Sequence, residues 1–210
     1  MNKTTRLNNI LGVVAKGQTY LNTIYLLLAF PLGTFYFVLL VAGLSADFSL
    51  TIIWIGIPIL LLMLAAMWAL SAFEREMAIK ILHVDIKPMS RKTPSKKGAW
   101  EMLKAHLNNP VTWKGLVYLF AKFPLGILSF VVSISLIALT VALITAPFTY
   151  QSTPIELGFY QVDTLTKALI SSILGLGVGI ASMHVMNSLA LVSGHFASLM
   201  LGNTQNGGDQ

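Results

Sequence analysis

The chain has 210 residues, of which 55% are hydrophobic and 10% charged, with no cysteine and a mean hydropathy of +0.74. Soluble domains average about 25% charged residues, and a water-soluble body of this size cannot hide so much apolar surface, so the solvent must be largely lipid. The missing thiols exclude disulfides, thiolate metal sites and cysteine nucleophiles. A formal charge of +6 belongs here to topology and anionic lipid rather than to nucleic acid, because the basic residues flank apolar runs.

Residues 1–18 read as a cytoplasmic tail carrying Lys3, Arg6 and Lys16. The first span is expected at about Asn22 to Leu44 and the second at about Leu50 to Phe73. The first is retained rather than cleaved, because its apolar stretch exceeds a signal-peptide core. The connection "SADFS" carries no basic residue. Glu74, Arg75 and Glu76 stand where the second span leaves the membrane. Two readings apply to Glu74 and Arg75: an ion pair or headgroup contact, and a relay from helix motion to a cytoplasmic partner.

Residues 85–110 form a basic linker, with "DIKPMSRKTPSKKGAW" marked as loop by its Pro, Ser and Lys. "AWEMLKAHLNNP" at its end has the pattern of a short amphipathic helix stopped by Pro110. A third span is expected at about Leu116 to Ala146 and a fourth at about Leu165 to Leu191. Lys122 is close enough to one end of its span to snorkel. Tyr20, Tyr25, Trp54, Trp113 and Tyr118 fit interfacial anchoring. The loop "FTYQSTPIELGFYQVDT" has no Lys or Arg, so the positive-inside bias predicts that both termini and the basic linker are cytoplasmic, and the plasma membrane is the expected location. Residues 203–210 read as a flexible tail.

"YLLLAFPLG" from Tyr25 and "YLFAKFPLG" from Tyr118 are separated by 93 residues, and the same offset maps Thr19-Tyr20 onto Thr112-Trp113. The expected fold is therefore all-α: an integral-membrane four-helix bundle built from two tandem repeated helical hairpins, 19–84 and 111–202. Both hairpins enter the membrane in the same direction, about an axis along its normal. In each copy a proline (Pro31, Pro124) removes a helix hydrogen bond and bends the helix. The following glycine (Gly33, Gly126) admits a neighbouring backbone. The bend reads either as fixed architecture or as a hinge.

Span four is the most polar. Ser171, Ser172, Gly175, Gly179 and Ser182 have small-residue spacing suited to close packing. His184, Ser188 and His195 fall near one face, with Asn187 beside it. Three readings stay open for this polar face: hydrogen bonding between helices, sensing of a ligand or proton, and a haem or metal site. The first is the commonest. No catalytic motif and no paired carboxylates within a span occur, so no enzyme, cofactor or metal is expected.

"QTYLNTIYLLLAFPLGTFYFVLL", "GIPILLL", "FEREMAIKIL" and "TWKGLVYLFAKFPLG" resemble a sensor domain family of bacterial and archaeal membrane proteins, often found N-terminal to a histidine kinase. The resemblance runs from about Gln18 to Gly202. It implies a non-enzymatic sensor or signal-input module. As nothing after Gln210 could be a phospho-accepting or ATP-binding unit, output is expected through a partner in trans, a histidine kinase or transcription regulator. Membrane lipid is the expected surrounding, a lipid-borne signal the expected input, and a second copy of the chain a further candidate partner. No nucleic-acid role is expected. The alternatives are a small transporter or transporter subunit, and a scaffold that assembles partners. Glu74-Arg75 has no counterpart in the second copy, where "SGHFASLMLG" stands instead.

Overall fold

The computed structural model of the chain describes residues 12–50, 56–86, 101, 104, 107–151, 155–157 and 160–202. Four long helices carry the fold: α1 Gly17–Leu50, α2 Gly56–Leu82, α3 Pro110–Thr149 and α4 Leu165–Leu201. Between α3 and α4 lies one hairpin of two antiparallel three-residue strands, β1 Ile155–Leu157 and β2 Tyr160–Val162. The described residues are otherwise all-α. Each helix has an apolar stretch long enough to cross a bilayer, and only a helix satisfies its own backbone there. The protein is thus a multi-pass membrane protein.

The helices are longer than the apolar runs. α1 takes in "SADFS", which the sequence places in a loop, and ends at Leu50, so this residue closes the first helix instead of opening the second. α2 continues past Phe73 through Glu74-Arg75-Glu76 to Leu82. Charges do not stop a helix, whose backbone bonds are internal, and Glu76 pairs with Lys80 one turn on at 3.2 Å. The chain leaves α2 through His83 in the left-handed region (φ 53°). Val84 N–H then closes back on the Ala78 carbonyl at 3.4 Å.

Pro110 opens α3 as well as closing what precedes it. The Asn109 side-chain oxygen accepts the Val111 N–H at 3.0 Å, a helix cap with proline at the first helical position. Of the predicted amphipathic segment 99–110 only residues 101, 104 and 107–110 are described, and 101, 104 and 107 are helical. Trp54 and most of the basic linker lie outside the described residues.

Two compact units are distinguished, each described separately. One comprises Leu28–Leu128 and Leu191–Gln210. In it, parts of all four helices surround one apolar core. Tyr36 and Leu40 come from α1, Met63, Leu64 and Met67 from α2, Tyr118 and Leu119 from α3, and Ala197 and Leu201 from α4. The segment after α2 joins this core through Ile86. The other unit comprises Met1–Leu27 and Ser129–Ala190. There α4 lies close on α3 along the small-residue stripe. A methyl built on Gly175 would meet Leu143 Cβ at 2.8 Å, and one on Gly179 would meet Thr140 Cγ2 at 3.0 Å. Ser172 donates to the Ile144 carbonyl at 3.2 Å.

Burial follows the 93-residue offset. Every buried position of 19–40 falls on a buried position of 112–133 when 93 is added. Both prolines are exposed and both glycines buried. α1 and α3 run unbroken through Pro31 and Pro124.

Candidate functional site

Two helices of the first unit place polar side chains against a carboxylate carried by a third. Glu74 projects from α2 with no solvent exposure. Its Oε1 accepts the Tyr36 hydroxyl of α1 at 3.0 Å. Its Oε2 accepts the Tyr118 hydroxyl of α3 at 2.9 Å and lies 2.9 Å from Lys122 Nζ, also of α3. The Lys122 ammonium sits 6.0 Å from the Tyr118 ring centre, the outer edge of cation–π range. Phe196 of α4 stacks on the other partner of this group, its ring 5.5 Å from that of Tyr118.

The physical reason for the constellation is compensation. A buried carboxylate is costly unless an opposite charge and hydrogen bonds replace its water. Here one ammonium balances the charge and two phenols occupy lone pairs on both oxygens. Spacing does the rest: Tyr118 and Lys122 are four apart on α3, hence on one face.

Lys122 therefore does not snorkel. It is 4% exposed, because a fixed carboxylate inside the bundle is a nearer partner than water at the rim. Tyr25 and Tyr118 are not interfacial anchors, being 0% and 1% exposed. Tyr20 and Trp113 are exposed, and each ties its helix to the chain six residues before it: Tyr20 OH to the Val14 carbonyl at 3.1 Å, Trp113 Nε1 to the Leu107 carbonyl at 2.8 Å.

Arg75, the next residue on α2, faces another way. Its Nη2 donates to the Ile86 carbonyl at 2.8 Å. Since Ile86 is buried in the core, the segment 83–86 is held back along α2 where the basic linker begins. Gly194 of α4 permits this, as a methyl there would meet Val84 Cγ2 at 2.8 Å. Glu74 and Arg75 thus join the centre of the core to the root of the linker within one peptide unit.

The Pro-x-Gly motifs bring the backbones of α1 and α3 together. A methyl on Gly33 would lie 2.7 Å from the Lys122 carbonyl oxygen and 3.0 Å from Phe123 Cα. One on Gly126 would lie 2.5 Å from the Ala29 carbonyl oxygen and 3.1 Å from Phe30 Cα. The contacts are reciprocal, since 29 and 30 become 122 and 123 on adding 93. Gly126 Cα thereby seats α3 against α1, the register in which Lys122 reaches Glu74.

The polar face predicted on α4 is not one site. His184, Ser188 and His195 are exposed on the apolar helix surface, and Ser188 bonds its own helix at the His184 carbonyl, 3.0 Å. Asn187 alone turns inward, in the second unit. It accepts from Asn22 Nδ2 at 2.9 Å and donates to Thr19 Oγ1 at 3.1 Å. Gln18 donates to Asn22 at 2.9 Å, and Thr19 Oγ1 donates to the Val13 carbonyl at 3.0 Å. This chain of amides and hydroxyls is interhelical hydrogen bonding. Among the described residues no three His, Asp or Glu side chains converge as a metal would require.

Sequence reasoning named Glu74 and Arg75 but missed Tyr36, Asn22 and the pairing of Lys122. Lone lysine and glutamate residues in two apolar runs were the available signal, since intramembrane charges generally find each other.

The architecture defines a class first: a polytopic helical membrane protein with a fully compensated charge at its core. Residues 25–201 match the model of the family described as "Putative sensor". The chain belongs to that family, and membership supports a sensor role; sensor domains of this kind are generally non-enzymatic. Comparison with curated proteins and with solved structures gave no match.

Proposed function

We propose that this protein is the non-enzymatic input of a signalling pathway in the plasma membrane, with both termini cytoplasmic. It takes a signal from within the bilayer, a lipid or other hydrophobic molecule, and acts through a histidine kinase or transcription regulator in trans. The observation that carries the reading is the junction at Glu74-Arg75. One side chain is bonded to α1 and α3 and the next clamps the start of the basic linker. A packing change that shifts α2 against its neighbours is thereby passed to residues 83–86 without an intervening flexible segment. Lys and Arg in the linker supply the charge that an acidic partner surface or anionic lipid would meet.

The test is a signalling assay in cells. Arg75→Ala should uncouple output from input while membrane levels of the protein stay unchanged. Pro31→Ala combined with Pro124→Ala should alter the response amplitude. Wild-type output from Arg75→Ala would remove the relay.

A further inference from the structure

The second polar cluster has a counterpart that is incomplete. In α1, the positions Thr19 and Asn22 complete a bonded chain with Asn187 of α4. Adding 93 gives Thr112 and Gly115 of α3, which face Ser71 of α2. Ser71 Oγ stands 2.9 Å from where a Gly115 methyl would be. No carboxamide exists at this turn. Instead there is a small cavity of about 10 Å³ lined by Met67, Trp68, Ser71, Val111, Thr112 and Gly115. Thr112 is 5% exposed, and its Oγ1 has no hydrogen-bond partner among the described residues.

A void needs about 10–15 Å³ of this measure, and polar partners, to hold a water. This one has room for about one, and two hydroxyl side chains on its wall. A buried hydroxyl without a partner is costly, whereas a water supplies that partner and fills the space left by glycine. We propose that the cavity is a binding site for a single water molecule, held by Thr112 Oγ1 and Ser71, in the place that the Asn22 side chain fills in the other copy. Anything as large as a lipid headgroup is excluded by size. The site lies one helical turn from Glu74 on α2, so an exchangeable molecule separates α2 from α3 where α1 carries a covalently attached plug.

Trp68 on the cavity wall supplies the readout. The full chain is placed in phosphatidylcholine nanodiscs with Trp54, Trp100 and Trp113 replaced by phenylalanine, so that emission comes from Trp68. Exchange into D2O should raise the Trp68 yield, and Gly115→Ala, which fills the cavity, should abolish that response and shift emission to the blue. Thr112→Val should lower Tm by about 2–4 °C, the size expected from losing one bonded hydroxyl in a chain of this length. A D2O response that survives Gly115→Ala unchanged would overturn the site. So would a Tm that rises in Thr112→Val, because removing an unpartnered hydroxyl is stabilising. Should Gly115→Ala not fold, Ser71→Ala, which removes one of the two hydroxyls that hold the water, must weaken the D2O response, and a response equal to that of the unaltered side chain would overturn the site.

Discussion

Residues 19–40 of α1 and 112–133 of α3 bury the same positions with different chemistry. Thr19, Tyr25, Leu26 and Gly33 find Thr112, Tyr118, Leu119 and Gly126. At other buried places the pair diverges: Asn22 against Gly115, Ala29 against Lys122, Tyr36 against Ser129, Leu40 against Ser133. What the difference teaches is that the helix path and the polar content are set separately. Small residues and aromatic positions fix which face turns inward. The polar groups are then distributed so that Asn22 on α1 and Lys122 on α3 are answered by different returning helices: Asn187 from α4 and Glu74 from α2.

The comparison breaks most severely at the charged centre. Glu74→Gln leaves the Lys122 ammonium buried without a countercharge and should destabilise the fold by about 3–5 kcal/mol, measured by unfolding in mixed micelles. Replacing the whole group by apolar residues (Glu74→Leu, Lys122→Met, Tyr36→Phe, Tyr118→Phe) should recover most of that loss, because no charge or hydroxyl is then stranded. If the single and fourfold variants are equally unstable, compensation is not what holds the centre.

Next come the glycines. Gly33→Ala and Gly126→Ala each press a methyl on the opposite backbone and should cost about 1–3 kcal/mol, by similar amounts, since the contacts are reciprocal. Unequal losses would show that the two sides of this contact are not equivalent in strength. Asn187→Ala, in the uncharged cluster, should cost only about 0.6 kcal/mol, the average for a hydrogen bond between membrane helices, with Asn22→Ala not additive to it.

The smallest effect lies at the start of α4, where Asp163 precedes the helix. The side-chain hydrogen bond from Lys167, at 2.6 Å, is the main reason that the Asp163 carboxyl is held below its ordinary value of 3.8. A lowered folded-state pKa means that the pair contributes stability above that ordinary value and loses it as pH falls through the depressed one. Asp163 is solvent-exposed, so the contribution is slight. In Lys167→Met the Asp163 titration, followed by NMR, should move up towards 3.8.

Much of this was legible in the sequence. Four apolar runs in a sequence poor in charge required membrane helices, and the repeated "FPLG" located the place where α1 and α3 touch. Helix ends were less legible, because α1 and α2 extend through polar residues that hydropathy excludes, and internal hydrogen bonding is indifferent to side-chain polarity. Glu74 and Arg75 were readable as a pair at a boundary, but not that the two side chains diverge. Position on a helix gives a direction around the axis, while the identity of a partner depends on which neighbour lies there. For the same reason His184 and His195, which share a face on α4, turned out to point outward, and Asn187 inward.

The mutual seating of Gly33 and Gly126 has a mechanical consequence. Two rods that touch backbone to backbone at one bare spot cannot be pressed closer, and neither can slide along the other without a side chain meeting a main chain. The spot is therefore a locating pin: it sets how far along each other the two helices lie, and so the height at which the Lys122 ammonium meets the Glu74 carboxylate.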